Sequence, residues 1–130
     1  MKVGVILNPT AGGGRLKRSW PQVAAALRRH FGEVELRETQ GGGDAGRLAL
    51  DLAAAGFGLV VAAGGDGTAS EVADGLLQAA DEGRGSAELA LIPCGTGIDF
   101  ARGLGLPRDL DALVARMAEA EGRKIDAGRI

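Results

Sequence analysis

Four strand-like runs in this 130-residue chain, three apolar and one alternating, each end at a loop marked by glycine or proline, and a segment of helical periodicity follows each one. Residues 3–7 lead into Asn8-Pro9 and the glycines at 12–14, and residues 33–38 lead into Thr39 and the glycines at 41–43. Residues 59–63 lead into Gly64, Gly65 and Gly67, and residues 89–92 into Pro93, Gly95 and Gly97. Strands that alternate with helices over short connections must pair in parallel through right-handed crossovers. The expected fold is α/β, a three-layer αβα sandwich with a mainly parallel, Rossmann-like sheet, in strand order 2-1-3-4. The carboxyl ends of its strands share one edge, where such folds bind ligands, so all four loops converge there.

The individual segments support this reading. Residues 3–7 are apolar throughout and are stopped by Pro9, as expected for a strand buried on both faces. Leu16, Trp20, Val23, Ala24, Leu27 and Phe31 recur at helical spacing. With Arg15, Lys17, Arg18, Arg28 and Arg29 mostly on the other side, they predict one helix with a basic, solvated face. Residues 33–38 alternate, Val34 and Leu36 against charges, which suits an edge strand. Asp44 stands where it can cap the next helix, whose stripe is Ala45, Leu48, Ala49, Leu52 and Ala53. The helix after the third strand is expected to turn Val72, Ala73, Leu76, Leu77 and Ala80 inward. Leu110, Leu113, Val114 and Met117 mark a further helix, and Ile125 opens a fifth strand.

A chain of this length forms one domain. With 15 basic and 17 acidic residues and only 3% aromatics, it has neither the charge nor the stacking surface of a nucleic-acid binder. Cys94 is the sole cysteine, which excludes an internal disulfide and fits a reducing, cytoplasmic setting. No apolar run approaches the roughly twenty residues that span a bilayer, so a soluble protein is expected. Glycine is the outlier, at 23 residues well over twice the usual share of roughly 7%, and it gathers in the loops.

Residues 60–72 carry the chemistry. An apolar strand breaks into Gly64, Gly65 and Gly67 around Asp66, and a helix begins at once. Glycine lets the backbone approach a ligand closely, and the unpaired N–H groups at the start of the helix attract an anion such as phosphate. A carboxylate in that position repels phosphate unless it shares a divalent cation with it or collects a proton, so Asp66 points to phosphate chemistry rather than binding alone. Thr68 and Glu71 are also spaced as a capping box, which needs no ligand, but capping leaves the three glycines around an acid unexplained. Asp99 has the alternative of capping a short helix, and Asp126 that of a solvated turn residue. His30 reads as a surface residue near a helix end and Cys94 as small filler.

Three stretches, Asn8-Pro9-Thr10-Ala11-Gly12-Gly13-Gly14, Gly64-Gly65-Asp66-Gly67-Thr68-Ala69-Ser70-Glu71-Val72 and Pro93-Cys94-Gly95-Thr96-Gly97-Ile98-Asp99-Phe100-Ala101-Arg102, together resemble the diacylglycerol kinase catalytic domain family, which includes sphingosine kinases and bacterial lipid kinases. The resemblance covers nearly the whole chain. It implies that Asn8, Pro9, Thr10, Ala11, Gly12, Thr39, Gly64, Gly65, Asp66, Gly67, Thr68, Glu71, Gly95 and Thr96 surround ATP. It also implies that Asp66, Asp99 and Asp126 serve catalysis and hold Mg2+ through water. The implied reaction is transfer of the ATP γ-phosphoryl group to the hydroxyl of diacylglycerol or a similar lipid. The implied setting is the cytoplasm, with peripheral contact at the inner membrane face.

Two departures qualify what is carried over. The family usually has asparagine where this chain has Ile98, which removes a donor and an acceptor from that loop. Members also carry a second, β-rich domain after the Asp126 region. Residues 1–130 are therefore expected to be the nucleotide-binding domain alone, folded but with little or no kinase activity. The alternatives are an NAD kinase-like phosphotransferase, which shares the Gly-Gly-Asp-Gly-Thr stretch but needs an asparagine-glutamate motif missing here, and a non-catalytic nucleotide-binding module. A hydride-transferring Rossmann enzyme fails at Lys17, where its third glycine belongs, and no phosphate-binding G-x-x-x-x-G-K-[ST] loop occurs.

Overall fold

The computed structural model describes residues 2–93, and the expectations that fall on residues 94–130 lie outside them. These are the fourth glycine turn, the further helix, the fifth strand, and Cys94, Gly95, Thr96, Asp99 and Asp126. Within the described residues, strands β1 (Val3–Leu7), β2 (Val34–Glu38), β3 (Leu59–Gly64) and β4 (Glu88–Pro93) alternate with helices α1 (Arg15–Arg18), α2 (Trp20–Phe31), α3 (Asp44–Ala54) and α4 (Asp66–Asp81). All pairings are parallel and the order is β2-β1-β3-β4, as the sequence leads one to expect.

Side chains alternate across the sheet and divide the core into two layers. Val3, Val5, Leu7, Val61, Ala63 and Ile92 meet Leu16, Val23 and Leu27 from α1 and α2 on one face. Ile6, Val60, Ala62 and Leu89 meet α3 and α4 on the other, through residues such as Leu52, Ala49, Val72 and Leu76. Central β1 and β3 are buried along their whole length, whereas β2 at the edge has only half-buried and exposed positions. Gly4 lies under the second layer, where an added Cβ would come within 2.8 Å of the Leu52 side chain.

The structure corrects two local readings. The single helix expected over 16–31 is two: Pro21 has no N–H to offer the preceding turn, so the chain breaks at Ser19, whose carbonyl accepts from both Gln22 and Val23. On α4, Leu77 is 41% exposed and Ala80 also faces solvent, while Gly75 and Ala79 are buried. The cause is the seam with α3. A Cβ on Gly75 would lie 2.2 Å from the Gly46 carbonyl oxygen and 3.0 Å from the Ala49 Cβ, so α4 turns its smallest residues inward. A count of apolar side chains favours Leu77 and overlooks a glycine.

Candidate functional site

Strand register brings the loops together. Leu7 pairs with Glu38 on one side and Ala63 on the other, and Gly64 pairs with Pro93, so the described strands end along one line. A cleft of about 540 Å³ opens there, within the usual size of small-molecule sites. A depression of about 690 Å³ lies at the opposite edge between Lys2, Arg28, Phe31, Glu33 and Phe57. Its lining contains none of the glycine loops and no helix start, so the smaller cleft is the better candidate.

Asn8 builds one wall. Its N–H continues the sheet by donating to the Ala63 carbonyl, and its Oδ1 accepts from the Thr10 N–H at 3.1 Å and the Thr10 hydroxyl at 2.9 Å. This side-chain-closed turn sets Pro9 and Thr10 on the cleft. Asn8 Nδ2 points to the Thr68 hydroxyl at 3.5 Å, a long contact that joins the first and third loops. Beyond it the chain turns through Gly12 and Gly13, both at positive φ, with Arg15 donating to the Gly12 carbonyl at 3.0 Å.

The third loop departs from the capping-box reading. The helix starts three residues earlier than that reading requires: Gly65, in an extended conformation, is the N-cap of α4 and Asp66 is its first residue. Thr68 lies inside the first turn, 7% exposed, and Glu71 does not reach back to it. Glu71 Oε1 instead accepts the Gly43 N–H at 3.1 Å, tying α4 to the loop before α3. Asp44 likewise does not cap α3. Gly43, at φ 83°, takes that position, and Asp44 Oδ2 accepts the Gln40 N–H at 2.8 Å while its Oδ1 accepts from Arg47 Nη2 at 2.8 Å. The Arg47 hydrogen bond, helped by the Gln40 N–H, holds the Asp44 carboxyl below the ordinary aspartate range and raises Arg47 in return.

Of the residues expected around a nucleotide, the cleft brings together Asn8, Pro9, Thr10, Thr39, Gly67, Thr68 and Glu71. Ala11, Gly12, Gly64, Gly65 and Asp66 are not part of its lining. Gly64 has a packing reason of its own, since a Cβ would come within 2.7 Å of the Thr68 hydroxyl and 3.3 Å of the Asn8 Cβ. Gly65 and Gly67 have none. Neither has positive φ, and a Cβ on either meets nothing within 4 Å. The cleft also takes in Gln40, Gly41, Gly42 and Ala45, which motif reading left aside. Their signal was the run of three glycines after the second strand.

The groups on the cleft are of the kind that engage a nucleotide's phosphates and hydroxyls. A helix start, hydroxyls and open glycines face the cleft, and no cluster of three metal-ligating side chains occurs among the described residues. Asp66, exposed beside Gly67, offers one carboxylate, which suits Mg2+ held jointly by protein and phosphate oxygens.

Comparison with known proteins agrees with this geometry. The profile of the diacylglycerol kinase catalytic domain matches residues 2–130. The "Probable lipid kinase YegS-like" protein of Pseudomonas aeruginosa (strain UCBPP-PA14) is 43% identical over 110 residues, covering 84% of this chain and 35% of that protein. The diacylglycerol kinase of Bacillus subtilis (strain 168) is 40% identical over 128 residues, covering 97% of this chain and 41% of that one. The crystal structure of a diacylglycerol kinase from Bacillus anthracis str. Sterne superposes with a TM-score of 0.69 at 31% identity, covering 92% of this chain and 42% of that one. The chain thus spans between about a third and two fifths of the length of these curated relatives.

Proposed function

From the premise that this chain belongs to the diacylglycerol kinase catalytic domain family, we propose that it is the ATP-binding part of a lipid kinase. The reaction moves the γ-phosphoryl group of ATP to the hydroxyl of diacylglycerol or a lipid like it. The observation that carries the reading is the pair Gly65 and Gly67, which no backbone angle or protein neighbour requires, at the start of the helix beside the cleft. Side chains there would occupy space that a phosphate chain needs.

In this transfer the lipid hydroxyl oxygen bonds to the γ-phosphorus, the bond from that phosphorus to the β–γ bridging oxygen breaks, ADP leaves, and the hydroxyl proton passes to a base. Catalysis of such a step is mostly positioning and charge compensation. Thr10, Thr39 and Thr68 supply hydroxyls to the cleft, and the first turn of α4 supplies N–H groups for the phosphates. Mg2+, when bound, neutralises phosphate charge. Asp66 would hold it, together with Asp99 and Asp126 as the family resemblance implies. In this reading the lipid acceptor places the reaction at the inner membrane face, approached from the cytoplasm; no helix among the described residues is long and apolar enough to cross a bilayer.

Calorimetric titration with ATP, with and without Mg2+, tests the reading. The parent chain is expected to bind ATP, Gly65→Val to lose binding by filling the phosphate space, and Asp66→Asn to lose the Mg2+ dependence. Identical behaviour of all three would remove the proposed pocket. Acceptor chemistry is tested by grafting residues 2–130 in place of the matching segment of the Bacillus subtilis diacylglycerol kinase. Label transfer from ATP to diacylglycerol by the chimera supports a lipid kinase, and ATP binding without transfer selects a binding module.

A further inference from the structure

Of three glycines in a row, Gly41 and Gly42 line one wall of the cleft and Gly43 leads from them into α3, and none has a side chain to fix the shape of the loop. A Cβ on any of them meets nothing within 4 Å, so side-chain packing does not order this loop. Glycine also has more backbone freedom to lose than any other residue. Yet the loop is tied down at both ends by carboxylates from different helices. Asp44, the first residue of α3, accepts the Gln40 N–H at 2.8 Å, and Glu71, in the second turn of α4, accepts the Gly43 N–H at 3.1 Å. Arg47 steadies the first tie from the solvent side, bonding Asp44 at 2.8 Å and approaching Asp51 at 3.6 Å. Just before the loop, the Thr39 N–H donates to the Leu7 carbonyl at the end of β1.

We propose that Asp44 and Glu71 are positioning residues, a pair of carboxylates that hold the 40–43 loop in the shape that receives the nucleotide. The proposal rests on the cleft being the nucleotide site. It changes the role of Glu71 from a ligand contact to a brace: its carboxylate acts through the Gly43 N–H. A carboxylate left unengaged beside a polyphosphate would repel it, and the hydrogen bond to Gly43 gives the charge a partner inside the protein. Without the brace the loop samples other shapes, and apparent affinity falls by the fraction of time spent in the receptive one.

The test uses the 130-residue chain with two readouts, amide hydrogen exchange at Gly43 without nucleotide and ATP affinity by calorimetry. Glu71→Gln keeps an acceptor oxygen for Gly43, and Glu71→Ala removes it at a solvent-reachable helix site where alanine is well tolerated. Glu71→Ala is expected to speed Gly43 exchange and weaken ATP binding about tenfold, as for a loop receptive about a tenth of the time, while Glu71→Gln stays within about twofold of the parent on both. Asp44→Ala is expected to do the same at the Gln40 amide. Unchanged Gly43 exchange in Glu71→Ala would overturn the brace. Faster exchange with unaltered affinity would make it structural only and overturn the positioning role. Glutamine as damaging as alanine to affinity, with Gly43 still protected, would return Glu71 to direct contact with the ligand. Failure of the parent to bind ATP would overturn the cleft assignment and the positioning role together. It is distinguishable from failure of the brace because exchange is read without nucleotide.

Discussion

The glycines of the α3–α4 seam and those of the cleft rim are the same residue used for opposite reasons. At the seam, Gly75 lies so close to Gly46 that an added Cβ would lie 2.2 Å from a backbone oxygen, and in the loop after α4 a Cβ on Gly85 would lie 2.1 Å from the Ala53 carbonyl oxygen of α3. Here glycine is the absence of an atom that the protein itself has no room for. At the rim, Gly41, Gly42, Gly65 and Gly67 have room on every side and backbone angles open to other residues. The Gly65 N-cap position would be served as well by serine or aspartate. Seam glycines answer to the fold, and rim glycines answer to something that arrives from outside it. Substitutions should therefore divide into those that cost stability and those that cost only binding.

The largest expected effect is at the seam. Gly75→Ala must push α4 away from α3 along a backbone contact that cannot rotate aside, and should cost about 3 kcal/mol, the upper part of the range for overpacking. A urea melt followed by circular dichroism measures this, and a loss under about 1 kcal/mol would mean that the seam yields and the contrast with the rim is false. Gly64→Ala lies between the two classes, because its clash is with the Thr68 side chain rather than with backbone. It is expected to cost about 1–2 kcal/mol and to weaken ATP binding as well, since Thr68 and Asn8 both line the cleft. A pure stability loss with full ATP affinity would detach Gly64 from the site.

At the rim the signs should separate. Gly67 is the second residue of α4, where alanine removes backbone freedom from the unfolded chain and meets no obstruction. Gly67→Ala is expected to raise stability by about 0.5–1 kcal/mol while lowering ATP affinity. Gain of stability with undiminished affinity would show that nothing approaches this position.

This contrast also explains what could be read from the chain alone. Parallel order, two-layered core and convergence of the loops follow from hydrophobic period and chain direction, so residues 3–7 and 59–63 were legible as central strands and Thr39 as a strand-end residue on the shared edge. Local polar partners were not. Thr68 and Glu71 have the spacing of a capping box, but Gly65 starts the helix early and Glu71 finds a donor 28 residues away in Gly43. Asp44 has the chemistry of a cap and is drawn back to Gln40 and Arg47. Such choices are settled by which donors tertiary structure brings within reach, and sequence spacing does not encode that. Glycines are ambiguous for the same reason, since Gly64, Gly65 and Gly75 look alike until their neighbours are placed.

The smallest effect expected concerns acid, and it probes how firmly the rim loop is held. The Asp44 carboxyl, faced by the Arg47 guanidinium and the Gln40 N–H, with Asp51 beyond Arg47, has its pKa lowered from the ordinary value of 3.8. A carboxyl depressed in the folded state contributes stability that is fully present above its unfolded pKa and lost as pH falls through the folded one. The tie to Gln40 should therefore persist unchanged from neutral pH down to the ordinary carboxylate range and give way only below it. Arg47 is 60% exposed, so solvent and salt screen the pair and the change in overall stability should be slight. Carbon-detected NMR titration of the Asp44 carboxyl reads the midpoint directly, and Arg47→Gln should move it back up toward the ordinary value. A parent midpoint at or above 3.8 would mean that Asp44 is not engaged as the geometry has it, and Glu71 would then be the one carboxylate that braces the 40–43 loop.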